Sequence, residues 1–241
     1  MKHIDTVGSW MAVAAYRVLL MFRSDLGEAW YNLGNAYDRL GLHEAAVRAF
    51  EKAIAVEPDD AEAWVNLGSA YSHGGRFDKA VGAYQEAVRL KPNDAVAWSN
   101  LGVTYDRLGQ YDKAIAANRE ALRVEPTLAE LWRAMGVSYG GLGQYDKAIA
   151  AYQEAIRLKP EFAEAWKGAG LAYCRLEQHD KALVACREAI RLVPNDPWSW
   201  FGLGVALKMD GQMQDLTQVY ERLKKLNHDL AGKFLDEVIL S

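Results

Sequence analysis

Tryptophan recurs at a fixed interval along most of the chain. Successive members are 34 residues apart and stand at Trp30, Trp64, Trp98, Trp132, Trp166 and Trp200. An apolar residue follows each one by three positions, glycine by four and, in most cases, tyrosine by seven, as in Leu67, Gly68 and Tyr71. Offsets of three, four and seven lie on one face of an α-helix. A repeat of this length indicates an array of helical units, each with the same apolar stripe.

A second apolar set follows within each unit at the same helical spacing, as in Ala80, Tyr84 and Ala87, so each unit contains two helices. A glycine suited to positive φ separates the two helices at Gly41, Gly75, Gly109, Gly143 and Gly211. Glu177 is the one departure from this rule. A proline that disfavours helix in the preceding residue follows the second helix at Pro58, Pro92, Pro126, Pro160 and Pro194.

Another glycine lies inside every first helix, where it is less favourable than alanine by roughly 1 kcal/mol. These residues are Gly34, Gly68, Gly102, Gly136, Gly170 and Gly204. Close approach of the paired helix is the expected compensation. The small residues that would permit it on the second helices are Ala46, Ala80, Ala114, Ala148 and Ala182.

The order of Trp, Leu-Gly, Tyr, Ala, an aromatic residue, Ala and Pro resembles the tetratricopeptide repeat family from Gly27 to about Asp196. This resemblance implies an all-α fold, an α-solenoid in which antiparallel helix hairpins with a 34-residue period form a right-handed superhelix. Asn118 and Cys186 replace the family's aromatic residue, and Ala169 replaces its leucine. We therefore expect looser packing at these positions.

The 34-residue register divides the chain into a terminal segment, six repeats and a second terminal segment. The repeats are 27–60, 61–94, 95–128, 129–162, 163–196 and a degenerate sixth, 197–230. Residues 1–26 are predicted to form a capping helix or a degenerate half-repeat, with Ala12, Tyr16 and Leu19 in the register of a second helix; an export signal or a swapped element are the alternatives. Residues 231–241 carry one apolar stripe and are predicted to form a C-terminal capping helix.

Charge and cysteine content indicate which classes of partner and which cellular compartment are expected. The 28 basic and 32 acidic residues are mixed along the chain, which gives no electrostatic footprint for nucleic acid. No stretch is long and apolar enough to predict a membrane span. Cys174 and Cys186 form neither a CxxC pair nor a secreted disulfide framework. A reducing compartment, the cytoplasm, is therefore expected.

Candidate chemistry is sparse in this sequence. The five histidines are scattered through the chain, and none has a second histidine or a cysteine at ligand spacing: His3, His43, His73, His179 and His228. The sequence also contains no phosphate-binding loop and no nucleophile elbow. We predict no catalytic residues, no cofactor and no metal site.

The side of each first helix opposite the tryptophan stripe is expected to be exposed. In tetratricopeptide proteins this side lines the concave groove in which peptides usually bind, so the resemblance implies a binding surface here. The predicted partner-binding residues are Asn32, Asn35, Arg39, Asn66, His73, Asn100, Val103, Arg107, Arg133, Val137, Lys167, Leu171, Arg175 and Val205.

The chemistry of these residues changes along the chain. Asn32, Asn66 and Asn100 are equivalent, and their amides could pair with an extended peptide backbone, although asparagine is also simply tolerated at an exposed helical position. The equivalent apolar positions are Val103, Val137, Leu171 and Val205. Exposed apolar surface of this kind marks a contact with a partner, with a terminus of the same chain, or with a second copy.

Three functional hypotheses follow from these patterns. The first is a non-catalytic scaffold that binds a peptide or helix of a partner protein in the groove. The second is a structural protein that assembles with itself through its ends and groove. The third is a fragment or regulatory partner of an enzyme such as a glycosyltransferase.

Overall fold

A computed structural model describes residues 2–240, and the side chains of residues 6–240. Every regular element in this range is helical. The chain divides into two compact units, Met1–Glu125 (the first unit) and Pro126–Ser241 (the second unit). The predicted all-α class, built from antiparallel helix hairpins with a 34-residue period, is confirmed.

The first unit contains one long helix followed by three hairpins. Helix α1 packs on α2, and the hairpins are α2 with α3, α4 with α5, and α6 with α7. The bounds are α1 Lys2–Phe22, α2 Gly27–Arg39, α3 His43–Val56, α4 Ala61–His73, α5 Phe77–Leu90, α6 Ala95–Arg107 and α7 Tyr111–Val124.

The second unit repeats this arrangement and ends differently. Its hairpins are α8 with α9, α10 with α11, and α12 with α13, and a short α14 with a π-helical turn packs on α12 and α13. The bounds are α8 Ala129–Gly141, α9 Tyr145–Leu158, α10 Ala163–Arg175, α11 His179–Leu192, α12 Pro197–Met209, a 3₁₀ turn Met213–Asp215, α13 Leu216–Leu226, α14 His228–Phe234 and a π turn Leu235–Ile239.

The turn inside each hairpin has the backbone that the glycine pattern predicts. At Gly41 φ is 72°, its N–H bonds to the carbonyl of Asp38, and the N–H of Leu42 bonds to the carbonyl of Tyr37. This pair of bonds is the Schellman motif, which satisfies carbonyls at a helix C-terminus. Glu177 takes the same conformation, with φ 55°, at the position where glycine is missing. The hairpin geometry therefore imposes positive φ even where a side chain makes it less favourable.

The six tryptophans of the repeats are only half-buried, although they belong to the apolar stripe. Each indole Nε1–H donates to a backbone carbonyl six residues earlier, as from Trp64 to Pro58 at 2.9 Å and from Trp166 to Pro160 at 2.8 Å. One ring face thus covers the helix while the N–H binds the corner between repeats, which is the usual arrangement for an amphipathic aromatic ring.

Four of the six glycines inside the first helices face aromatic rings, so the expected close approach to these helices is present but the nearest side chains are not the predicted alanines. A Cβ built on Gly34 would lie 2.6 Å from the ring of Phe50, and one on Gly68 would lie 2.7 Å from the ring of Tyr84. The alanines are fully buried as well, but they do not form the closest contact. The absence of a side chain lets a large ring reach the helix backbone, and the buried ring compensates for the weak helix propensity of glycine.

The two side chains that replace the aromatic residue are buried, and looser packing around them stays a prediction. Asn118 is 0% exposed and Cys186 is 1% exposed. A Cβ on Gly102 would lie 2.6 Å from the side-chain oxygen of Asn118. Among the described residues, neither amide atom of Asn118 finds a hydrogen-bond partner. In the first unit an amide with no partner in the described part of the chain is thus buried where three other repeats place a ring.

The two ends of the chain cover their neighbours in different ways. Helix α1 buries Val13 and Leu20 against α2, whereas Leu19, predicted at a small buried position, is 41% exposed. The remaining surface of α1 is strongly apolar, with exposed Val7, Trp10, Met11, Val18, Met21 and Phe22. At the other end the ring of Phe234 packs against Gly204, which is the contact that an aromatic residue of the second helix makes in ordinary repeats. That residues 231–241 serve as a cap remains a prediction.

Candidate functional site

The predicted binding residues fall into two groups, one in each unit. We call the side of α2, α4 and α6 that lies opposite the tryptophan stripe the first face. The corresponding side of α8, α10 and α12 is the second face. Arg39, His73, Val103, Arg107, Val137 and Arg175 are exposed as predicted. The other predicted residues are half-buried, which corrects the expectation for Asn32, Asn35, Asn66, Asn100, Arg133, Lys167, Leu171 and Val205.

Hydrogen bonds between neighbouring repeats explain why part of the first face is covered. The side-chain nitrogen of Asn66 donates to the hydroxyl of Tyr31 at 3.0 Å and to the side-chain oxygen of Asn35 at 3.0 Å. The Tyr31 hydroxyl in turn donates to Glu62 at 2.6 Å. Partial burial and the hydrogen bond to Glu62 raise the pKa of Tyr31, so the phenol stays protonated as the donor. These four residues link α2 to α4.

This network changes the predicted asparagine ladder. The N–H groups of Asn66 are committed within the protein, so only its carbonyl oxygen remains for a ligand. The side chains of Asn32 and Asn100 make no hydrogen bond to any residue that the structure describes. Their amides keep both donor and acceptor capacity. Register alone cannot reveal this difference, because the three asparagines occupy the same position in their repeats.

The second face is opened by residues with little or no side chain. Leu171 is half-buried because it lies on the bare backbone of α12, where a Cβ on Gly202 would be 3.3 Å from its methyl carbon. Gly168 has the same effect on α10, since a Cβ there would be 2.5 Å from the ring of Tyr152. Small residues at these two positions therefore let larger side chains spread across the face.

A pocket of about 600 Å³ lies on this face and is lined by apolar side chains together with charged ones such as Arg175 and Lys208. Its walls include Leu171 and Val205, which were predicted, and Phe201 and Met209 beside them. Val238, from the π turn that follows α14, completes the apolar lining. The volume falls within the range of pockets that hold a small ligand or a few side chains of a peptide.

The predicted cations of the second face are partly engaged by the protein itself. Arg133 lies 6.0 Å from the ring centroid of Phe162, and Lys167 pairs with Asp196 at 3.3 Å. Partial burial alone would raise the pKa of Asp196, but hydrogen bonds from Ser199 and the charge of Lys167 outweigh burial and lower it. Asp196 is the N-cap of α12, so Lys167 supports the fold.

Buried thiols do not supply a reactive group to either face. Burial raises the pKa of Cys174 to about 11 and, together with the nearby Cys174, that of Cys186 to about 12. Both are unbridged. A thiol with such a pKa is protonated at neutral pH and is a poor nucleophile.

One cluster of polar side chains was not predicted from the sequence. His43 and His73 both point at Asp38, although no ligand spacing connects them in the sequence. The available signal was the repeat itself, because Asp38 and His73 are almost one period apart on consecutive first helices. The side chain of His3, considered with these histidines, lies outside the described side chains.

Comparison with known protein families decides which family the helical hairpins represent. A profile described as tetratricopeptide repeat matches residues 31–95 and 133–197, and a second profile of the same description matches residues 95–128. The chain belongs to the tetratricopeptide repeat family. No curated protein sequence matches it. None of the helices described here is long and apolar enough to cross a membrane.

Solved structures of tetratricopeptide proteins are similar to this chain. A crystal structure of MamA is 26% identical, covers 72% of this chain and 93% of its own, and has a TM-score of 0.66. The APC/C hetero-tetramer Cut9–Hcn1 contains a chain that is 20% identical, covers 95% of this chain and 46% of its own, and has a TM-score of 0.71. YrrB, described as a TPR protein with an unusual peptide-binding site, is 22% identical over 77% of this chain and 96% of its own, with a TM-score of 0.62. The last two support the fold alone.

Proposed function

We propose that this tetratricopeptide protein is a non-catalytic scaffold that binds a peptide or helix of a partner protein on the sides of its first helices opposite the tryptophan stripe. The observation that carries the proposal is the apolar second face, where Val137 is 41% exposed and the pocket beside Leu171, Phe201 and Val205 lies open. Exposed apolar surface around a pocket is typical of a contact site. Family membership supports the same function, since the fold is commonly used for protein interactions.

The second face fits an apolar segment. Burial of one leucine-sized side chain in the pocket would contribute about 1.5–3 kcal/mol, and several such contacts are needed for micromolar affinity. Trp198 and Phe201 form a tilted aromatic pair with ring centroids 5.8 Å apart, and Trp198 is 48% exposed. Large, stiff aromatic rings are frequent energetic centres of interfaces.

The first face fits a polar contact. The side-chain amides of Asn32 and Asn100 have no partner among the described residues, and Arg39 and Arg107 are exposed on the same helices. An extended backbone offers N–H and C=O groups in alternation, which a carboxamide matches with one donor and one acceptor. Each such bond contributes about 0.5–1.5 kcal/mol net. We infer that this face adds orientation and that most of the binding energy comes from apolar contact.

A peptide selected on the full chain from a random displayed library provides the probe that tests this proposal. The selected peptide is titrated calorimetrically against the wild type and against Val137→Asp, which we expect to weaken binding at least tenfold because a carboxylate on this surface loses hydration against the ligand. Val184→Asp is the matched control, since Val184 is 59% exposed on α11, a second helix outside the face. Equal affinities for the two variants would place the contact elsewhere.

Self-assembly is a second candidate, and the apolar surface of α1 favours it. Met11 is 69% exposed and Phe22 is 80% exposed, which is unusual for apolar side chains on a helix that packs mainly on α2. A second copy of the chain would cover this surface. Sedimentation of the full chain across a hundredfold range of concentration tests the idea, and a monomer throughout would exclude it.

We also propose a reducing, cytoplasmic location for this protein. The two unbridged thiols, Cys174 and Cys186, support it.

A further inference from the structure

Three side chains with metal-binding chemistry meet at one end of the first two hairpins. Asp38 lies in the last turn of α2, His43 is the first residue of α3, and His73 is the last residue of α4. The hairpin turn at Gly41 reverses the chain and brings His43 next to Asp38, and the stacking of the second hairpin on the first brings His73 to the same place. Three separate helices therefore supply one ligand atom each.

Their spacing agrees with the coordination sphere of a small divalent ion. The carboxylate oxygen Oδ1 of Asp38 is 3.1 Å from Nδ1 of His43 and 3.3 Å from Nδ1 of His73. All three potential ligand atoms lie within 4.8 Å of one another. Tetrahedral zinc with bonds of about 2.0–2.1 Å requires ligand atoms about 3.3–3.4 Å apart. The edge from Asp38 to His73 matches this value at 3.3 Å, the edge from Asp38 to His43 is slightly shorter at 3.1 Å, and the third is no longer than 4.8 Å.

The same nitrogen, Nδ1, of both imidazoles contacts Asp38. A carboxylate oxygen only accepts hydrogen bonds, so each Nδ1 must carry a proton when it contacts Asp38. Both rings contact the same oxygen of Asp38, and their centroids are 5.2 Å apart. An ion between the three atoms would replace both protons and would use the Nδ1 lone pairs as ligands.

We propose that Asp38, His43 and His73 bind a divalent transition-metal ion of the zinc class. Two imidazoles and one carboxylate satisfy the preference of such ions for nitrogen and oxygen donors. His73 has a side chain that is 53% exposed, which gives an ion access from solvent and leaves the remaining coordination position to water. The proposal replaces the sequence-based expectation of no metal site. It uses none of the residues on the second face, although His73 is also one of the predicted binding residues of the first face.

The bound ion would join the first hairpin to the second. Its ligands come from α2, α3 and α4, so dissociation of the two hairpins would require loss of the ion. An ion that binds only the folded state raises stability in proportion to the logarithm of its concentration above the Kd. The first unit would gain this stabilisation, whereas the second unit has no equivalent cluster among its described residues.

Zinc titration of the tag-free full chain tests the site directly. With a chromophoric chelator as competitor, we expect one Zn²⁺ per chain. His73→Ala and Asp38→Asn should each weaken Zn²⁺ binding by about a hundredfold. Loss of a residue that only supports a ligand already weakens metal binding by up to about a hundredfold, and these residues are ligands themselves. His228→Ala is the matched control, since His228 is an exposed histidine outside the cluster. No Zn²⁺ binding by the wild type, or equal loss in the control, would overturn the proposal.

Two further measurements separate ion binding from effects on folding. Co²⁺ in place of Zn²⁺ should give visible absorption bands typical of low coordination number in the wild type and lose them in His43→Ala, while circular dichroism reports intact helices. Zn²⁺ should also raise the thermal unfolding midpoint of the wild type and leave that of His73→Ala unchanged. A Zn²⁺-induced increase of the same size in His73→Ala would contradict the assigned ligands.

Discussion

The first and second faces of this protein are built on the same helical register, yet their surfaces are chemically different. On the first face, hydrogen bonds among Tyr31, Asn35, Glu62 and Asn66 hold neighbouring helices together. On the second face, glycines leave the backbone bare and apolar side chains spread over it. The difference shows that one helical register can carry surfaces of different chemistry.

The reason lies in the positions that each role uses. Tryptophan, leucine, glycine and tyrosine at fixed offsets pack each hairpin, and they recur in both units. The position two residues after the tryptophan is outside this set. It holds Asn66 and Asn100 in the first unit and Gly168 and Gly202 in the second. In the second unit this position borders the core as well as the surface, since a Cβ on Gly168 would lie 2.5 Å from the ring of Tyr152.

The largest expected effect is a loss of stability at the glycines that face core rings, and it should be similar in the two units. Gly68→Val and Gly136→Val would each force a Cβ to within 2.7 Å or less of a buried tyrosine ring. We expect a loss of about 1–3 kcal/mol in the free energy of unfolding for each, because overpacked cores must shift. Urea unfolding followed by circular dichroism measures the loss.

Two helical glycines with open space around them serve as controls for these variants. Cβ atoms on Gly82 and Gly140 would meet nothing within 4 Å, so alanine there should be neutral or stabilising by up to about 1 kcal/mol. If Gly68→Val lowered stability no more than Gly82→Ala does, the tight ring contact would not exist.

The next effect is a smaller increase in stability, expected at the position where the first unit has Asn118 in place of an aromatic ring. Asn118→Leu replaces a buried amide, which has no hydrogen-bond partner in the described part of the chain, by an apolar side chain of similar size. We expect stability to rise by about 1–2 kcal/mol, since the desolvation penalty of the amide disappears. Ala116→Leu, at an exposed site on the same helix, provides a comparison for added apolar volume without burial. A destabilised Asn118→Leu would indicate that the amide has a partner in solution, such as a water molecule.

The smallest effect should distinguish two equivalent residues of the first face. Asn66→Ala removes the bonds to Tyr31 and Asn35, and we expect it to lower the free energy of unfolding by about 1 kcal/mol. Asn100→Ala removes no such bond and should change stability by less than about 0.5 kcal/mol. Thermal and urea unfolding of both variants measures the difference. Equal losses would mean that the Tyr31 network does not hold the two helices together.

Much of the fold could be predicted because the same sequence pattern occurs in successive repeats, so that each inference rests on several occurrences. The period of the tryptophans defined the hairpins, and the turn glycines correctly marked positive φ at positions such as Gly41 and Gly143. Glu177 demonstrates how strong that constraint is, since the turn keeps its geometry without glycine. Periodicity was less informative about which side chains meet. It could not reveal that Gly34 faces a phenyl ring, because small and large neighbours recur at the same period.

The candidate site was harder to predict, since its properties depend on contacts between helices. A single helix considered alone places Asn66 and Leu171 in water, whereas the neighbouring helix covers part of each. The cluster at Asp38 was missed for the same reason: His43 and His73 come from different helices. A prediction of such sites requires the stacking of successive hairpins as well as the register within each one.

The bond between each indole and a carbonyl six residues earlier affects how such a chain can change in length. In the first repeat the acceptor is the carbonyl of Ser24, at 3.0 Å from the Trp30 nitrogen, so the bond does not require proline at that position. Its two ends lie on either side of a repeat boundary, and their separation in sequence is the same at every boundary. Gene duplication or deletion in steps of 34 codons would therefore recreate the bond at each new junction, whatever the breakpoint within the repeat. The array can grow or shrink by whole modules without a specially adapted joint.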